Sequence, residues 1–434
     1  MADQEMDVDT VKNEEESEDE SDSSDEEEEG DEKVYLPGEK LEDGEELEID
    51  EAAYIVYHQA SLGPPCLSFD IIPEQCNPDF PLSVTAVAGT QAAKITANSI
   101  IAFRMSNMHH VRPAGEDEDE DDAEELEDER PLLRMAGLKH AGTVNRVRYT
   151  NIGPTPVVAA WAESGAVGVW NLAGLLQRLE GPAGGAQQRE ESLPLQSFTG
   201  HTSEGWALDW SRVEAGLLAS GDCARNIHVW RPGEGGQWAV SSQPCTSHTN
   251  SVEDIRWSPN ERNVLASCSV DKTIKIWDVR AEPSKACMLT QGAAHSSDVN
   301  VIDWNRNDPF LVSGGDDGAL KVWDLRQFGG LSCEPVAVFR HHGGPVTSVE
   351  WHHSDSTVVA SSGEDHQVAL WDLALERDTE AGQEESGLQD LPPQLLFIHQ
   401  GLKDIKEIHW HSKIPGLLLA TSHTGFDVFR TISV

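Results

Sequence analysis

The sequence predicts an all-β fold of the β-propeller type, built from one repeated unit. In five copies an aromatic residue stands nine positions after a histidine, and in a sixth copy the interval is two positions longer. The pairs are His140–Tyr149, His201–Trp210, His248–Trp257, His295–Trp304, His342–Trp351 and His399–Trp410. A second aromatic residue follows each copy about 20 positions on, at Trp170, Trp230, Trp277, Trp323, Trp371 and Phe429. Successive second aromatics lie 60, 47, 46, 48 and 58 residues apart, a spacing that indicates a repeat architecture.

The residues between the two aromatics predict β-strands. Leu265–Asp278 contains an apolar run, a turn of small residues with Asp six positions before the Trp, and the alternating stretch Thr-Ile-Lys-Ile-Trp. Strict alternation of polar and apolar residues is typical of a half-buried strand. Leu311–Asp324 and Val359–Asp372 match this pattern. The pattern resembles the WD-repeat family, which implies four-stranded units that close on Trp-Asp.

The resemblance also implies a hydrogen-bonded set in each unit, made by the histidine, a strand Ser or Thr, the turn Asp and the second Trp. Such bonds satisfy polar groups that neighbouring units bury. The expected sets contain His248, Asp271 and Trp277; His295, Asp317 and Trp323; and His342, Asp365 and Trp371. The second copy departs, because Ala224 stands where the Asp should be and Arg231 follows Trp230. We therefore expect that unit to be held less tightly.

The N-terminal part is expected to supply a seventh unit. Four strand-like runs lie there, at Leu67–Ile71, Leu82–Gly89, Ser99–Arg104 and Leu132–Ala136. Since few residues follow Phe429, we expect one N-terminal strand to complete the last blade, which closes the ring and removes free sheet edges. The predicted fold is a seven-bladed WD-repeat β-propeller over residues 45–434, with an N-terminal helix and disordered acidic segments.

The formal net charge of −46 is concentrated in two tracts. Glu14 to Glu32 holds 14 acidic residues in 19, and Glu116 to Glu129 holds 12 in 14. Such runs repel themselves and have little apolar surface to bury. We expect a disordered tail over residues 1–44 and a disordered loop over residues 114–130.

This charge favours basic proteins, such as histones and ribosomal proteins, as partners. It disfavours direct binding to nucleic acids and anionic membranes, because affinity for phosphate backbones comes mainly from Lys and Arg. The acidic tail either shields a basic client or only keeps the chain soluble. Ser17, Ser23 and Ser24 each have an acidic residue three positions on, so acid-directed phosphorylation there would add negative charge.

Other function classes find little support. Seven cysteines without a Cys-x-x-Cys pair predict reduced thiols. No secretory signal is visible, and no apolar run reaches the ~18 residues of a membrane span. Seventeen histidines include no His-Glu-x-x-His motif, and Gly314–Gly318 lacks the Lys of a phosphate loop. We expect no metal site, no cofactor and no enzymatic activity.

Asp50 is placed to cap a helix over residues 51–62, which Gly63-Pro64-Pro65 would end. Ile55, His58 and Leu62 would share one face of this helix. One interpretation is a helix that only packs on the side of the propeller. A second interpretation adds a partner groove beside it.

An acidic insertion over residues 376–393 supports the second interpretation. It holds six acidic residues, among them Glu384, Glu385 and Asp390, against one Arg, and it ends in Pro-Pro. In a closed ring the last blades adjoin the N-terminal segment. A helix beside an acidic loop would suit a basic amphipathic peptide.

Three stretches resemble the retinoblastoma-associated, histone-binding WD-repeat family: Tyr54-x-x-Tyr57-His58, Pro65–Ile71 and Asp390–His399. The resemblance implies that the N-terminal helix and the proline-proline loop clasp a histone helix, and that the acidic propeller face takes a histone tail. The acidic N-terminus, Val34–Gly38 and Phe429–Val434 are similar to acidic members of that family. This similarity implies a nuclear and nucleolar chaperone for a large-subunit ribosomal protein and for core histones, in contact with pre-ribosomal particles. We expect a monomer.

A rival hypothesis comes from two short motifs. Trp277-Asp-Val-Arg280 and Trp323-Asp-Leu-Arg326 have the WD-x-Arg pattern of propellers that dock on a cullin ubiquitin-ligase adaptor. Arg280 and Arg326 would then be adaptor contacts in a substrate receptor. The alternative is that both arginines are purely structural, because the pattern is short and common in propellers.

Overall fold

The computed structural model describes residues 49–73, 78–111, 130–181, 189–330, 333–376 and 391–434. Within these residues, 29 strands form seven separate sheets, accompanied by one α-helix. Each sheet is a blade, and its consecutive strands pair antiparallel. The predicted seven-bladed propeller is therefore confirmed.

The blades follow chain order, except that the first strand belongs to the last blade. Blade 1 contains β2 (Cys66–Ile71), β3 (Leu82–Thr90), β4 (Ser99–Met108) and β5 (Leu132–Lys139). Blade 2 contains β6 (Val144–Ile152), β7 (Thr155–Ala162), β8 (Val167–Asn171) and β10 (Gln196–Phe198). Blade 3 contains β11 (Ala207–Trp210), β12 (Leu218–Gly221), β13 (Ile227–Pro232) and β14 (Trp238–Val240).

The remaining blades continue the pattern. Blade 4 contains β15 (Val252–Trp257), β16 (Val264–Ser269), β17 (Ile274–Asp278) and β18 (Cys287–Gln291). Blade 5 contains β19 (Val299–Trp304), β20 (Phe310–Gly315), β21 (Ala319–Asp324) and β22 (Ala337–Arg340). Blade 6 contains β23 (Val346–Trp351), β24 (Val358–Gly363), β25 (Val368–Asp372) and β26 (Leu395–His399). Blade 7 contains β27 (Glu407–Trp410), β28 (Leu417–Thr421), β29 (Phe426–Thr431) and β1 (Tyr54–Ala60).

The core lies between blades. The first strand of each blade contacts the first strand of the next, so these seven strands surround the central axis. In the described part of the chain, seven apolar clusters form, one for each interface between neighbouring blades. Second aromatics such as Trp277 and Trp371 are fully buried within them. Burial of such side chains stabilises each interface by about 2–3 kcal/mol per residue.

The four N-terminal runs form blade 1, which is the additional blade that the sequence predicts. As predicted, an N-terminal strand completes the last blade, blade 7, and closes the ring. That strand, however, is the segment predicted to be helical. Asp50 caps only a single 3-10 turn, Glu51–Ala53, with Oδ1 accepting from the Ala52 N–H at 3.0 Å. The predicted helix over 51–62 is wrong. Tyr54-Ile-Val-Tyr is rich in β-branched and aromatic residues, which favour a strand, and β1 pairs with β29 along its length.

The spacing of 60 residues between Trp170 and Trp230 reflects an insertion in blade 2. Helix α1 (Ala173–Leu179) follows β8 and buries Leu175 and Leu179 against blade 1. The chain then adds β9 (Arg189–Glu190) as a parallel fifth strand beside β5. Other 3-10 turns lie at Ile95–Ala97, Glu234–Gly236 and Pro283–Lys285.

The predicted hydrogen-bonded sets are confirmed in blades 4, 5 and 6. In blade 4, His248 contacts Asp271 at 3.0 Å and Ser267 at 2.7 Å, and the Trp277 indole donates to Ser267 at 2.7 Å. The sets around His295 and His342 have the same geometry, with Ser313 and Ser361 as their serines.

The expectation that blade 3 is held less tightly is wrong. Its set is complete, because Asp222 takes the role that the family pattern gives to position 224. His201 contacts Asp222 at 2.9 Å and Ser220 at 2.8 Å, and the Trp230 indole donates to Ser220 at 2.9 Å. Asn226 donates to Asp222 from both its backbone and its side chain. Asp222 is fully buried.

Several predicted features lie outside the described residues. These are the acidic tail with Glu14, Glu32, Ser17, Ser23 and Ser24, the tract from Glu116 to Glu129, and the insertion residues Glu384, Glu385 and Asp390. Six cysteines that the structure describes are free thiols. Among the helices of the described ranges, none has the length and apolarity needed to cross a membrane.

Candidate functional site

The region where the N-terminal strand enters the ring is a candidate binding site. Strand β1 is the outermost strand of blade 7 and pairs with β29, so that Tyr57 lies opposite Phe429. A bulge between Tyr54 and Val56 shifts the register, and with this shift both Tyr54 and Tyr57 contact His399. The free edge of β1 receives the Val111 N–H, which donates to the Ile55 carbonyl at 3.1 Å.

Four polar side chains connect β1 to blades 6 and 7, and we name them the seam clasp: Tyr54, Tyr57, His399 and Asp427. The Tyr54 hydroxyl lies 2.8 Å from Nδ1 of His399, and Nε2 of His399 lies 3.3 Å from Asp427. The Tyr57 hydroxyl donates to the same carboxylate at 3.2 Å. Residues more than 340 positions apart in the chain are thereby joined.

Aromatic rings surround the seam clasp. His399 stacks on Phe429 with ring centroids 4.0 Å apart, and Phe397 meets Tyr54 edge to face at 5.4 Å. Burial, together with the nearby Asp427 carboxylate, raises the pKa of both tyrosines far above the ordinary value. Both hydroxyls are therefore protonated at neutral pH and act as donors or acceptors without charge.

The three residues predicted to share a helix face do not line a common groove. Leu62 is only 4% exposed and packs in the apolar cluster between blades 7 and 1, so it cannot line a groove. Ile55 is half-buried against the same cluster. Nε2 of His58 lies 3.3 Å from the His109 carbonyl, and burial lowers the pKa of this imidazole.

A different apolar surface is available at this place, and we name it the seam surface. Strand β26 leaves Leu395, Leu396, Phe397 and Ile398 half-exposed beside the seam clasp. Pro392 and Pro393 lead into it, and the Gln394 side chain donates to the Leu375 carbonyl at 2.9 Å. Three exposed apolar side chains lie on adjoining segments: Leu375 at 38%, whose carbonyl Gln394 contacts; Ile49 at 40%, directly before Asp50; and Ile432 at 66%, whose N–H donates to the Ala53 carbonyl at 3.2 Å.

Acidic side chains border the seam surface. Asp50 and Glu51 are exposed at the turn before β1, and Glu376 is exposed at the start of the acidic insertion. An apolar strip with an anionic border suits the apolar face of a basic amphipathic segment.

The face that carries the histidine turns is acidic as well. Glu204 and Asp298 lie in the connections before β11 and β19, Glu253 lies at the start of β15, and Asp316 lies in the turn after β20. Burial raises the pKa of Glu253, and the charges of Asp298 and Asp316 add to that shift. Burial and Asp316 likewise raise the pKa of Asp298. These carboxylates repel one another, so a cation would be attracted to this acidic face.

Arg280 and Arg326 occupy matching positions in blades 4 and 5. Each guanidinium is about two-thirds exposed and forms a bidentate pair with the Asp two residues before it, Asp278 or Asp324. Both arginines are thus held outward in the same orientation relative to their blades.

The seam clasp was not predicted as a set. Its sequence signals are the stretches Tyr54-x-x-Tyr57-His58 and Asp390–His399, which carry the family resemblance, and the departure of the last copy, where Phe429 replaces the second Trp. Within the described ranges, no group of three or more His, Cys, Asp or Glu side chains is arranged to hold a metal ion.

Comparison with known proteins agrees with this architecture. A family model described as WD domain, G-beta repeat, matches residues 240–278, 286–324 and 333–372. A second model, described as Histone-binding protein RBBP4 or a component of the CAF1 complex, matches residues 44–109. The WD40 propeller domain of Doa1 is similar in fold, with a TM-score of 0.58 over 88% of this chain and 97% of that chain at 14% identity. The protein is thus a WD-repeat β-propeller protein.

Three relatives match over nearly the whole chain. Protein HEAT STRESS TOLERANT DWD 1 of Arabidopsis thaliana is 41% identical over 93% of this chain and 92% of its own. Ribosome assembly protein rrb1 of Schizosaccharomyces pombe is 39% identical over 92% and 84%. Glutamate-rich WD repeat-containing protein 1 of Dictyostelium discoideum is 40% identical over 93% and 85%. The chain belongs to the glutamate-rich WD-repeat-containing protein family.

Proposed function

We propose that the protein is a non-enzymatic acidic chaperone and scaffold for basic proteins, acting in ribosome assembly and on histones, in the nucleus and nucleolus. The observation that carries the proposal is the match of residues 44–109 to the histone-binding family model, because this segment contains β1 with Tyr54 and Tyr57 of the seam clasp. The relative named as a ribosome assembly protein supports the ribosomal client. The clients are a large-subunit ribosomal protein and core histones.

The seam surface is proposed as the place where a folded part of the client docks. Leu396 and Phe397 offer apolar area on a rigid strand, and the seam clasp fixes that strand against β1. Asp50, Glu51 and Glu376 border it with negative charge. Apolar contact would supply most of the affinity, while the charges would increase the association rate and exclude acidic partners.

The acidic face and the acidic tracts are proposed to act on flexible basic segments of the client. Each ion pair on such a surface contributes little, ~0–1 kcal/mol, and is screened by salt. Many weak pairs along Glu14–Glu32 and Glu116–Glu129 would still shield a cationic chain from RNA or DNA. Phosphorylation of Ser17, Ser23 or Ser24 would strengthen this effect.

A tagged pull-down from nuclear lysate at moderate and high salt tests the proposal. The full chain is expected to recover a ribosomal protein or histones, with recovery reduced by high salt and by deletion of residues 14–32 and 116–129. Ile432→Asp at the seam surface should weaken recovery further. The matched control is Val336→Asp before β22, also an exposed apolar side chain at 55%, and it should recover clients normally. Equal recovery by both substitutions would rule out the seam surface.

A second candidate function is a substrate receptor of a cullin-type ubiquitin ligase. The outward, carboxylate-held Arg280 and Arg326 support it, as does the relative whose name contains DWD. Arg280→Ala with Arg326→Ala should then abolish co-purification of the ligase adaptor and leave client recovery unchanged. If the unmodified chain recovers the adaptor at high salt and the double variant recovers it equally well, the two arginines have a purely structural role.

A further inference from the structure

The innermost strands carry a ring of ionisable side chains that the proposed function does not use. Each blade has an ionisable residue at the same register position of its first strand. In blades 2 to 7 this residue directly precedes the first aromatic of the repeat, and in blade 1 it directly precedes Ile71, the last residue of β2. In blade order these residues are Asp70, Arg148, Asp209, Arg256, Asp303, Glu350 and His409. We name this set the inner ring.

Members of the inner ring also bond to the next blade. Four carboxylates accept the backbone N–H of the following blade's strand: Asp70 from Tyr149 at 2.7 Å, Asp209 from Trp257 at 2.7 Å, Asp303 from Trp351 at 2.9 Å and Glu350 from Trp410 at 3.0 Å. In addition, the indoles of Trp210, Trp257 and Trp304 donate at 2.9 Å to the carbonyl of the preceding inner-ring residue. The ring therefore contributes directly to the contacts between blades.

The charges of the inner ring alternate, with one exception. Burial alone would lower the pKa of His409, but Glu350 at 2.9 Å and Glu407 raise it to about 9, so the imidazole is cationic. Arg148, Arg256 and His409 then separate the four acids. Seven is an odd number, so complete alternation is impossible and one neighbouring pair must share a sign. That pair is Asp303 of blade 5 and Glu350 of blade 6.

The groups around the like-charged pair are not equivalent for its two members. Arg256 of blade 4 and Arg212, which follows β11 of blade 3, act on Asp303 from one side, while Glu350 opposes them from the other. Glu350 has His409 of blade 7 at 2.9 Å and His353 of its own blade at 3.7 Å. Although burial would raise the pKa of Glu350, these imidazoles lower it to about 2. Burial and the Glu350 charge raise the pKa of Asp303 to about 7.

We propose that Asp303 is a proton-binding site at the one like-charged position of the inner ring, and that the proton bound there regulates how firmly blades 5 and 6 hold together. The proton comes from solvent, since Asp303 is half-buried and not fully enclosed. With the proton bound, Asp303 is neutral beside anionic Glu350 and the repulsion between the two blades is removed. Without the proton, Asp303 and Glu350 are both anionic. The contact between blades 5 and 6 is then the one contact between neighbouring blades at which the inner-ring charges repel.

The sign of the stability effect follows from proton linkage. An unfolded Asp titrates near pH 3.9, whereas folded Asp303 keeps its proton to higher pH. Between these values the folded state binds more protons, so stability falls as pH rises and levels off above the folded transition. Asp303→Asn keeps an acceptor for the Trp351 N–H and removes the charge, so it should abolish this loss.

The test measures denaturant unfolding at pH 5 and pH 8 for the full chain, Asp303→Asn and the matched variant Asp209→Asn. Asp209 holds the same register position and accepts the same kind of N–H bond, but it lies between Arg148 and Arg256. At pH 8 we expect Asp303→Asn to lower the unfolding equilibrium constant by about tenfold or more. Asp209→Asn should lower it by less, because Arg256 and Arg148 oppose the burial that raises the pKa of Asp209. At pH 5 the difference between Asp303→Asn and the unmodified chain should be smaller than at pH 8, because only part of the loss between the unfolded and folded transitions has occurred.

A carbon NMR titration of the unmodified chain, labelled at aspartate carboxyls and assigned with the Asp303→Asn spectrum, keeps the test independent of variant folding. A carboxyl transition near neutral pH that moves to lower pH in Glu350→Gln supports the proposal. A transition near pH 4, or Asp303→Asn and Asp209→Asn effects of equal size at pH 8, would overturn it.

Discussion

The repeat histidines are hydrogen-bonded differently in two regions of the ring. One region is blades 3 to 6, and the other is the closure region, where blades 7, 1 and 2 meet. In blades 3 to 6, each hydrogen-bonded set joins a His, a Ser, an Asp and a Trp that lie within about 30 positions of one another. In blade 2, Nδ1 of His140 instead meets the Gly142 carbonyl at 3.0 Å. His399, the last residue of β26 in blade 6, turns to Tyr54 and Asp427 of blade 7.

A buried carboxylate replaces the missing local sets. Glu407 of blade 7 accepts from Arg146 at 2.6 Å and Arg148 at 2.7 Å, both of blade 2. It also accepts from the Ser68 hydroxyl at 2.7 Å and the Phe69 N–H at 2.8 Å in blade 1. Burial alone would raise the pKa of Glu407, but the two arginines hold it well below the ordinary value. Regular blades are thus fixed by local residues, whereas ring closure depends on residues from three blades.

The largest effect is expected from Glu407→Ala. The substitution leaves two buried guanidiniums without their carboxylate, and breaking a buried pair in this way costs about 3–5 kcal/mol. The free energy of unfolding from denaturant titration measures it. Glu191→Ala is the control, because the Lys139–Glu191 pair is exposed and screened by solvent, and its loss should leave stability nearly unchanged. Similar losses for both variants would show that Glu407 does not hold the ring closed.

The contrast between these regions also explains what the sequence could predict. Blades 4 to 6 follow from one chain segment at a time, since each His, Asp and Trp recurs at fixed spacing. Nothing local marks Glu407, whose partners lie 259 to 339 positions away. The same holds for Tyr54, because its partner His399 stands at the other end of the chain. Closure contacts of this kind are invisible to a search for repeats.

The error over residues 51–62 has a different cause. A short apolar run fits both helical and extended spacing. Asp50 is a typical helix-capping residue, and Ile55, His58 and Leu62 have helical spacing, so together they indicated a helix. The competing signal was the β-branched and aromatic content of Tyr54-Ile-Val-Tyr. The deciding contact is the pairing of β1 with β29, and no local pattern contains it. The site residues predicted from helical spacing failed for the same reason.

Asp222→Ala should rank next, and it tests whether blade 3 belongs with the regular blades. The buried carboxylate has contacts with His201 and with both donors of Asn226. Its removal leaves those groups unpaired, at an expected cost of about 2–3 kcal/mol. Thermal and denaturant unfolding should show a loss close to that of Asp271→Ala in blade 4. A loss much smaller than in blade 4 would place blade 3 with the irregular closure region.

Tyr54→Phe should lower the free energy of unfolding by less than Asp222→Ala, and it tests how much the seam clasp contributes to holding β1. The variant keeps the ring contacts with Phe397 and His399 but removes the hydroxyl from a buried imidazole. We expect a cost of about 1–2 kcal/mol, with faster hydrogen exchange in β1 than in β16. Tyr57→Phe is the control, since its hydroxyl is only part-buried and should matter less. Unchanged exchange in β1 would mean that strand pairing alone secures the N-terminal strand.

The smallest effect is expected from Ala224→Asp, which restores the Asp that the family pattern places in blade 3. If position 224 were the missing member of the set, the substitution should stabilise the blade. The geometry argues otherwise, because Nδ1 of His201 is already occupied by Asp222 at 2.9 Å. A partly exposed side chain added to a satisfied turn should change the free energy of unfolding by no more than about 0.5 kcal/mol. A gain of more than about 1 kcal/mol in chemical denaturation would show that spacing in the repeat, and not the Asp222 contact, decides how this blade is held.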